Sequence, residues 1–172
     1  MAQDTEVAAT IRGLLEAERG MLDVLDFDPA WYPTLLSQLT LAVGDDPIVY
    51  LGATAPTSGY SLILRVGIFT ETMVVAAEVY DGQHDENIGV LTKVQSRTDL
   101  LRFELSGGSE LDNESESTWA GGFRVRALYQ SGLVVTVPAN IIDTDTKRAS
   151  VHAVLDGLRR DLRAPHLDAV GR

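Results

Sequence analysis

The residues best equipped for chemistry stand in one short run, Asp81-Gly82-Gln83-His84-Asp85-Glu86, at the end of a strongly β-forming stretch. Its carboxylates and imidazole could ligate a metal or act as general acid and base. Their spacing matches neither the calcium loop of an EF-hand nor two histidines one helical turn apart. Asp-Gly directly after Tyr80 is a turn signal between strands, and that reading accounts for every residue of the run. A second acidic run, Glu110, Asp112, Glu114 and Glu116, alternates with small polar residues. It offers hard oxygen ligands but no rigid cage, and reads as a solvated loop. His152 falls one residue off the apolar stripe of a helix, near Asp156 and Arg148 by helical spacing, as a structural histidine would. A Ser-His-acid triad would have to use His84, His152 or His166, and no Gly-x-Ser-x-Gly elbow carries its serine. Gly107-Gly108 and Gly121-Gly122 lack the spacing of a phosphate cradle. With no cysteine there is no thiolate nucleophile and no Cys-based zinc or iron–sulfur site. The expectation is a chain with no catalytic residue, no metal site and no cofactor.

Candidate binding residues come from the N-terminal region. Val7, Ile11, Leu14, Leu15, Leu22 and Leu25 recur at the spacing of one helical face between Asp4 and Leu25. Gly13 and Gly20 each cost about 1 kcal/mol relative to alanine, so such a helix needs a packing partner. The stripe Val7, Ile11, Leu14 and Leu15 therefore has to dock on the sheet, on the next helix or on another chain. Trp31 and Tyr32, in the link Asp26-Phe27-Asp28-Pro29-Ala30-Trp31-Tyr32-Pro33, are aromatics of the kind that anchor a partner or cover a core edge. Asp28 before Pro29 resembles an N-cap, and Pro33 requires either a short turn at 29–32 or a helix starting at Pro33. Gly44-Asp45-Asp46-Pro47 ends that helix.

From Ile48 to Pro138 the apolar period changes to two. Leu62/Leu64/Val66/Ile68, Met73/Val75/Ala77/Val79, Leu101/Phe103/Leu105, Phe123/Val125/Ala127/Tyr129 and Leu133/Val135/Val137 each share a face. With Ile48–Leu51 and Ile88–Val94 they make about seven strands. The links are short and rich in turn residues, including Thr70-Glu71-Thr72, Ser96-Arg97-Thr98 and Gln130-Ser131-Gly132, which implies antiparallel neighbours. A last helix, from about Lys147 to Arg163, presents Val151, Val154, Leu155, Leu158 and Leu162 on one face. Acids precede it and Arg159, Arg160 and Arg163 close it, as suits the helix dipole.

The chain has 172 residues, 45% hydrophobic and 23% charged, enough for one domain with a proper core. Its 25 acids and 14 bases give a net charge of −11. Residues 1–47 carry nine acids and two bases, residues 48–138 eleven and six, and residues 139–172 five and six. An acidic surface repels phosphate backbones and anionic headgroups, so neither nucleic acid nor membrane is an expected partner. The N-terminus lacks a signal-peptide pattern and no apolar run spans a bilayer, which points to the cytoplasm.

Seven strands followed by one amphipathic helix is an element order that resembles the pleckstrin-homology (PH) superfold. GIFTETMVVAAEVYDGQ (67–83), IGVLTKVQSRTDLLRFEL (88–105) and FRVRALYQSGLVVTVPA (123–139) are similar in texture to bacterial PH-like domains. The resemblance covers residues 48–163. It implies a strongly bent antiparallel sheet of about seven strands with a C-terminal capping helix; with the N-terminal helical pair, which lies outside the resemblance, the expected class is α+β. The organisation is then 1–46 helical extension, 47–164 β domain with its helix, and 165–172 tail. Phosphoinositide binding does not carry over, because GATAPTSGYS (52–61) holds no Lys or Arg where lipid-binding members place theirs, and the tryptophan of their last helix is missing. The element order and the lack of a catalytic constellation point to a non-enzymatic protein-interaction or assembly module that binds a protein partner or self-associates, and the stripe of the first helix favours a homodimer to which the N-terminal region contributes. The alternative is a small ligand-binding protein or enzyme with its site inside the curved sheet, for which convergent ionisable residues in a sizeable cavity would be the sign.

Overall fold

The computed structural model describes residues 2–18, 29–55, 62–80, 89–107, 123–139 and 144–163. The acidic runs at 81–87 and 110–116, His166, Leu22, Leu25, Asp28, Trp119 and the tail lie outside the described residues.

The fold is α+β. Two helices, α1 (Ala2–Glu16) and α2 (Tyr32–Val43), precede strands β1 (Ile48–Thr54), β2 (Leu62–Thr70), β3 (Met73–Tyr80) and β4 (Gly89–Ser96). Strands β5 (Leu100–Gly107), β6 (Phe123–Tyr129) and β7 (Val134–Val137) follow, then helix α3 (Asp145–Arg163). The chain turns at 29–32, with the Tyr32 amide donating to the Pro29 carbonyl at 2.9 Å, so Pro33 sits in the first turn of α2, where a missing N–H does no harm. Gly44, at φ 56°, ends α2 in the backbone region that glycine enters without cost.

The expected single bent sheet of seven strands is corrected to two antiparallel sheets, β1-β2-β3-β4 and β5-β6-β7. The reason lies in the short link Ser96-Arg97-Thr98, which sequence pattern reads as a hairpin turn and which forms a 3-10 corner at Arg97–Asp99. Arg97 is buried, so its guanidinium must find partners inside the protein. Nε donates to Asp161 of α3 at 2.9 Å, Nη1 donates to the Thr70 carbonyl at 2.8 Å, and the Arg97 amide donates to the Thr72 carbonyl at 2.9 Å. These bonds pull the corner against the β2–β3 turn and α3, and β5 leaves for the second sheet instead of pairing with β4.

One face of the four-stranded sheet packs on α1 and α2, and the end of the other face at Phe69 and Val74 packs on the second sheet, so β2 and β3 read as near-continuous apolar runs. Leu64, Val66 and Ile68 of β2 and Val75, Ala77 and Val79 of β3 share one core with Ile11 and Leu15 of α1 and Leu35, Leu36, Leu39 and Val43 of α2. Phe69 and Val74 point the other way and join Val125, Ala127, Tyr129, Val135 and Val137 of the second sheet in another core with Val151, Val154, Leu155 and Leu158 of α3. The expected face of α3 is buried except Leu162, and the expected β5 face leaves Leu101 and Leu105 exposed at a sheet edge. A buried ion pair, Lys147 Nζ to Glu18 Oε2 at 2.8 Å, ties the segment after α1 to the first turn of α3.

Asp46 locks α2 to the first sheet. Its Oδ2 accepts the Thr72 amide at 2.9 Å, the Thr72 hydroxyl at 2.7 Å and the Thr70 hydroxyl. Partial burial opposes ionisation, but these hydrogen bonds outweigh it and hold the carboxyl below its ordinary value. A carboxylate whose folded pKa is depressed stabilises the fold above its unfolded value of about 3.9, and that contribution is lost as pH falls through the folded value. Asp46→Asn is therefore expected to be less stable than wild type near pH 6, with the difference shrinking below about pH 4. Urea unfolding at several pH values checks this; a pH-independent difference would contradict it.

Candidate functional site

The second sheet packs one face against α3 and against Phe69 and Val74 of the first sheet. Alternation along β6 puts Val125 and Ala127 into the core with α3, which leaves Arg124 and Arg126 on the opposite side. There they face part of the four-stranded sheet that the second sheet does not cover, and a cleft of about 630 Å³ lies between them.

Register explains its shape. Two cross-strand rows of the first sheet line the cleft: Thr54-Arg65-Glu78-Leu91 and Gly52-Gly67-Ala76-Lys93. Three consecutive positions in the second row are Gly or Ala, so the row forms a trough. A Cβ on Gly67 would lie 2.9 Å from Cγ1 of Val135, and a Cβ on Gly52 would lie 2.1 Å from the Tyr50 hydroxyl oxygen. The missing side chains let β7 and the following segment approach. The Ala139 amide donates to that Tyr50 hydroxyl at 2.9 Å, and burial pushes the phenol's pKa up, so Tyr50 stays a neutral strut. Val134 and Thr136 of β7 form part of the opposite wall.

The electrostatics run against the rest of the chain. Among the described residues Arg65, Lys93, Arg124 and Arg126 line the cleft with a single acid, Glu78. Among the described residues the lining thus holds four bases and one acid, although in the whole sequence acids outnumber bases 25 to 14. Glu78 accepts hydrogen bonds from the Tyr80 hydroxyl and from Arg65 Nε at 2.9 Å. The Tyr80 bond, opposed by burial and helped by Arg65, keeps the Glu78 carboxyl below its ordinary value, and the same carboxylate raises Tyr80. Arg126 pairs with Glu104 at 3.4 Å, which also holds Arg102. Among the described residues neither Lys93 nor Arg124 has a carboxylate within 4 Å, although Lys93 is close enough to Glu78 to act on its charge.

The residues singled out from sequence lie elsewhere. Ile11, Leu15 and Trp31 are buried in the core that α1 and α2 share with the first sheet, Val7 and Tyr32 are partly buried against it, and Leu14 is 37% exposed. What these helices leave accessible is a groove lined by Arg12, Tyr32, Leu36 and Leu41, the last 82% exposed. His152 packs its ring against Phe123, centroids 6.5 Å apart, while Arg148 pairs with Asp145 and Asp156 with Arg159. Among the described residues no three His, Asp or Glu side chains gather as a metal site, and no helix is long and apolar enough to cross a membrane. The cleft cations escape the sequence reading because strand alternation marks them only as outward-facing. The FRVRALY pattern does place Arg124 and Arg126 on one face, but their meeting with Arg65 and Lys93 depends on how the sheets pack.

Comparison with protein-family models, with curated proteins and with solved structures gave no significant match.

Proposed function

We propose that this chain is a non-enzymatic binding module that takes a small ligand in the cleft between its two sheets. The observation that carries this reading is the cleft itself: its volume lies within the range of about 300–1,000 Å³ usual for small-molecule pockets, and four cationic side chains converge on it. Of the two readings open from sequence, a partner-binding surface on the N-terminal helices and a ligand site within the β domain, the cleft favours the second. Among the described residues no nucleophile with an adjacent base lines it, and its walls combine apolar patches at Leu91, Val134 and Pro138 with charged tips, a composition suited to holding a molecule. The PH-like reading of the fold belongs with this proposal, supported by seven strands in sequence followed by one C-terminal helix.

Amide-shift mapping with a library of small neutral, cationic and anionic fragments tests the reading. Saturable shifts are expected at Gly67, Ala76, Lys93 and Thr136, and should be lost in Thr136→Trp, whose indole would fill the cleft from an exposed position. Fragments that saturate only the groove of α1 and α2, or that bind Thr136→Trp equally well, would contradict it.

A further inference from the structure

Resting on the cleft as the ligand site, we infer that its ligand is an amphipathic anion: a small molecule with a carboxylate or phosphate at one end and an apolar body. Three features of the lining converge. Among the described residues it holds four cations and one acid, and including Glu104, which engages Arg126, the count is still four to two. The two cations with no carboxylate within 4 Å among the described residues, Lys93 and Arg124, stand on opposite walls, one on β4 and one on β6. An anion between the walls would have donors on both sides. Guanidinium and ammonium groups recognise carboxylate and phosphate through short, charge-assisted hydrogen bonds. Beside the cations, Leu91, Val134 and Pro138 give the lining the apolar contact that an alkyl or aryl body needs.

Acids elsewhere on the surface make this selective rather than general. A chain of net charge −11 repels polyanions at long range, whereas a small anion can be held locally where the lining reverses the sign. Polymeric nucleic acid and anionic membranes gain little from such a recessed site.

Amide-shift titrations of the full chain with hexanoate, phenyl phosphate and the uncharged hexanamide test the inference. Saturable shifts at Gly67, Ala76 and Lys93 are expected for the anions, with hexanamide at least about tenfold weaker, since hydrogen bonds to charged groups are the strong ones. Saturation by hexanoate alone assigns the site to carboxylates and by phenyl phosphate alone to phosphate esters; either supports the inference. The double variant Lys93→Glu/Arg124→Glu should weaken anion binding at least about tenfold at unchanged melting temperature, both side chains being exposed. Lys93→Gln/Arg124→Gln should weaken it less, which guards against misfolding of the charge-reversed form. Hexanamide binding the cleft as tightly as hexanoate would overturn the anion inference and leave the cleft standing as a ligand site. Cleft shifts absent with all three probes would overturn both.

Discussion

Arg97→Met is expected to lower the stability of the chain by about 3 kcal/mol or more, the cost of removing one partner from a buried, hydrogen-bonded ion pair. The side chain of Arg97 is 5% exposed and that of Asp161 17%, so the loss strands a carboxylate largely shielded from water. It also strands the Thr70 carbonyl, the guanidinium's other acceptor. Three elements come loose together: the β2–β3 turn, the corner between the sheets, and α3. Gly157 reports on the same contact. A Cβ there would lie 1.9 Å from a guanidinium nitrogen, so Gly157→Ala has to push Arg97 off its bonds. In the Arg97→Met background that clash is absent, and the two substitutions should be clearly less than additive, as for residues in direct contact. Urea unfolding of the two single variants and the double variant checks this. A loss under about 1 kcal/mol for Arg97→Met, within the range of ordinary surface changes, would show that the corner does not depend on this residue.

Leu15→Ala is expected to cost about 2–5 kcal/mol, the range for truncating a fully buried aliphatic side chain. Leu15 has no exposed surface and shares a core with Leu64, Val66, Ile68 and Val79 of the central strands. The consequence concerns cooperativity as much as magnitude. Because α1 and α2 cover one face of the first sheet, the loss should lower the midpoint of the whole unfolding transition. If the helices were a loosely docked extension, Leu15→Ala would instead release them early and leave the sheets melting as before. Hydrogen exchange at Val66 and Val75 in the centre of the sheet separates the two outcomes: a global effect accelerates both amides, and local release leaves them protected.

Much of the fold is legible in the sequence because periodicity reports burial. Period two marks five of the seven strands, the stretches Ile48–Leu51 and Ile88–Val94 mark the other two, and the stripe through Val151, Val154, Leu155 and Leu158 locates α3. The break between the sheets is not legible, because Ser-Arg-Thr suits a hairpin turn as well as a corner. Only the partners of Arg97, on β2 and α3, decide between them. The aliphatic stripe of α1 announces a need for a packing partner without naming it; Ile11 and Leu15 meet α2 and the first sheet, while Leu14 stays exposed. The candidate site is the least legible part. The chemistry-bearing runs at 81–86 and 110–116 draw attention by density, whereas Arg65, Lys93, Arg124 and Arg126 are scattered over three strands' worth of ordinary alternation. Their side chains converge because small residues at Gly52, Gly67 and Ala76 set how closely the sheets approach.

In a crystal of the full chain soaked in hexanoate, the carboxylate is expected inside the cleft, within hydrogen-bonding reach of one or more of Arg65, Lys93, Arg124 and Arg126, with the alkyl chain against Leu91, Val134 or Pro138. Hexanoate ordered in the groove between α1 and α2 while the cleft holds only solvent would contradict it.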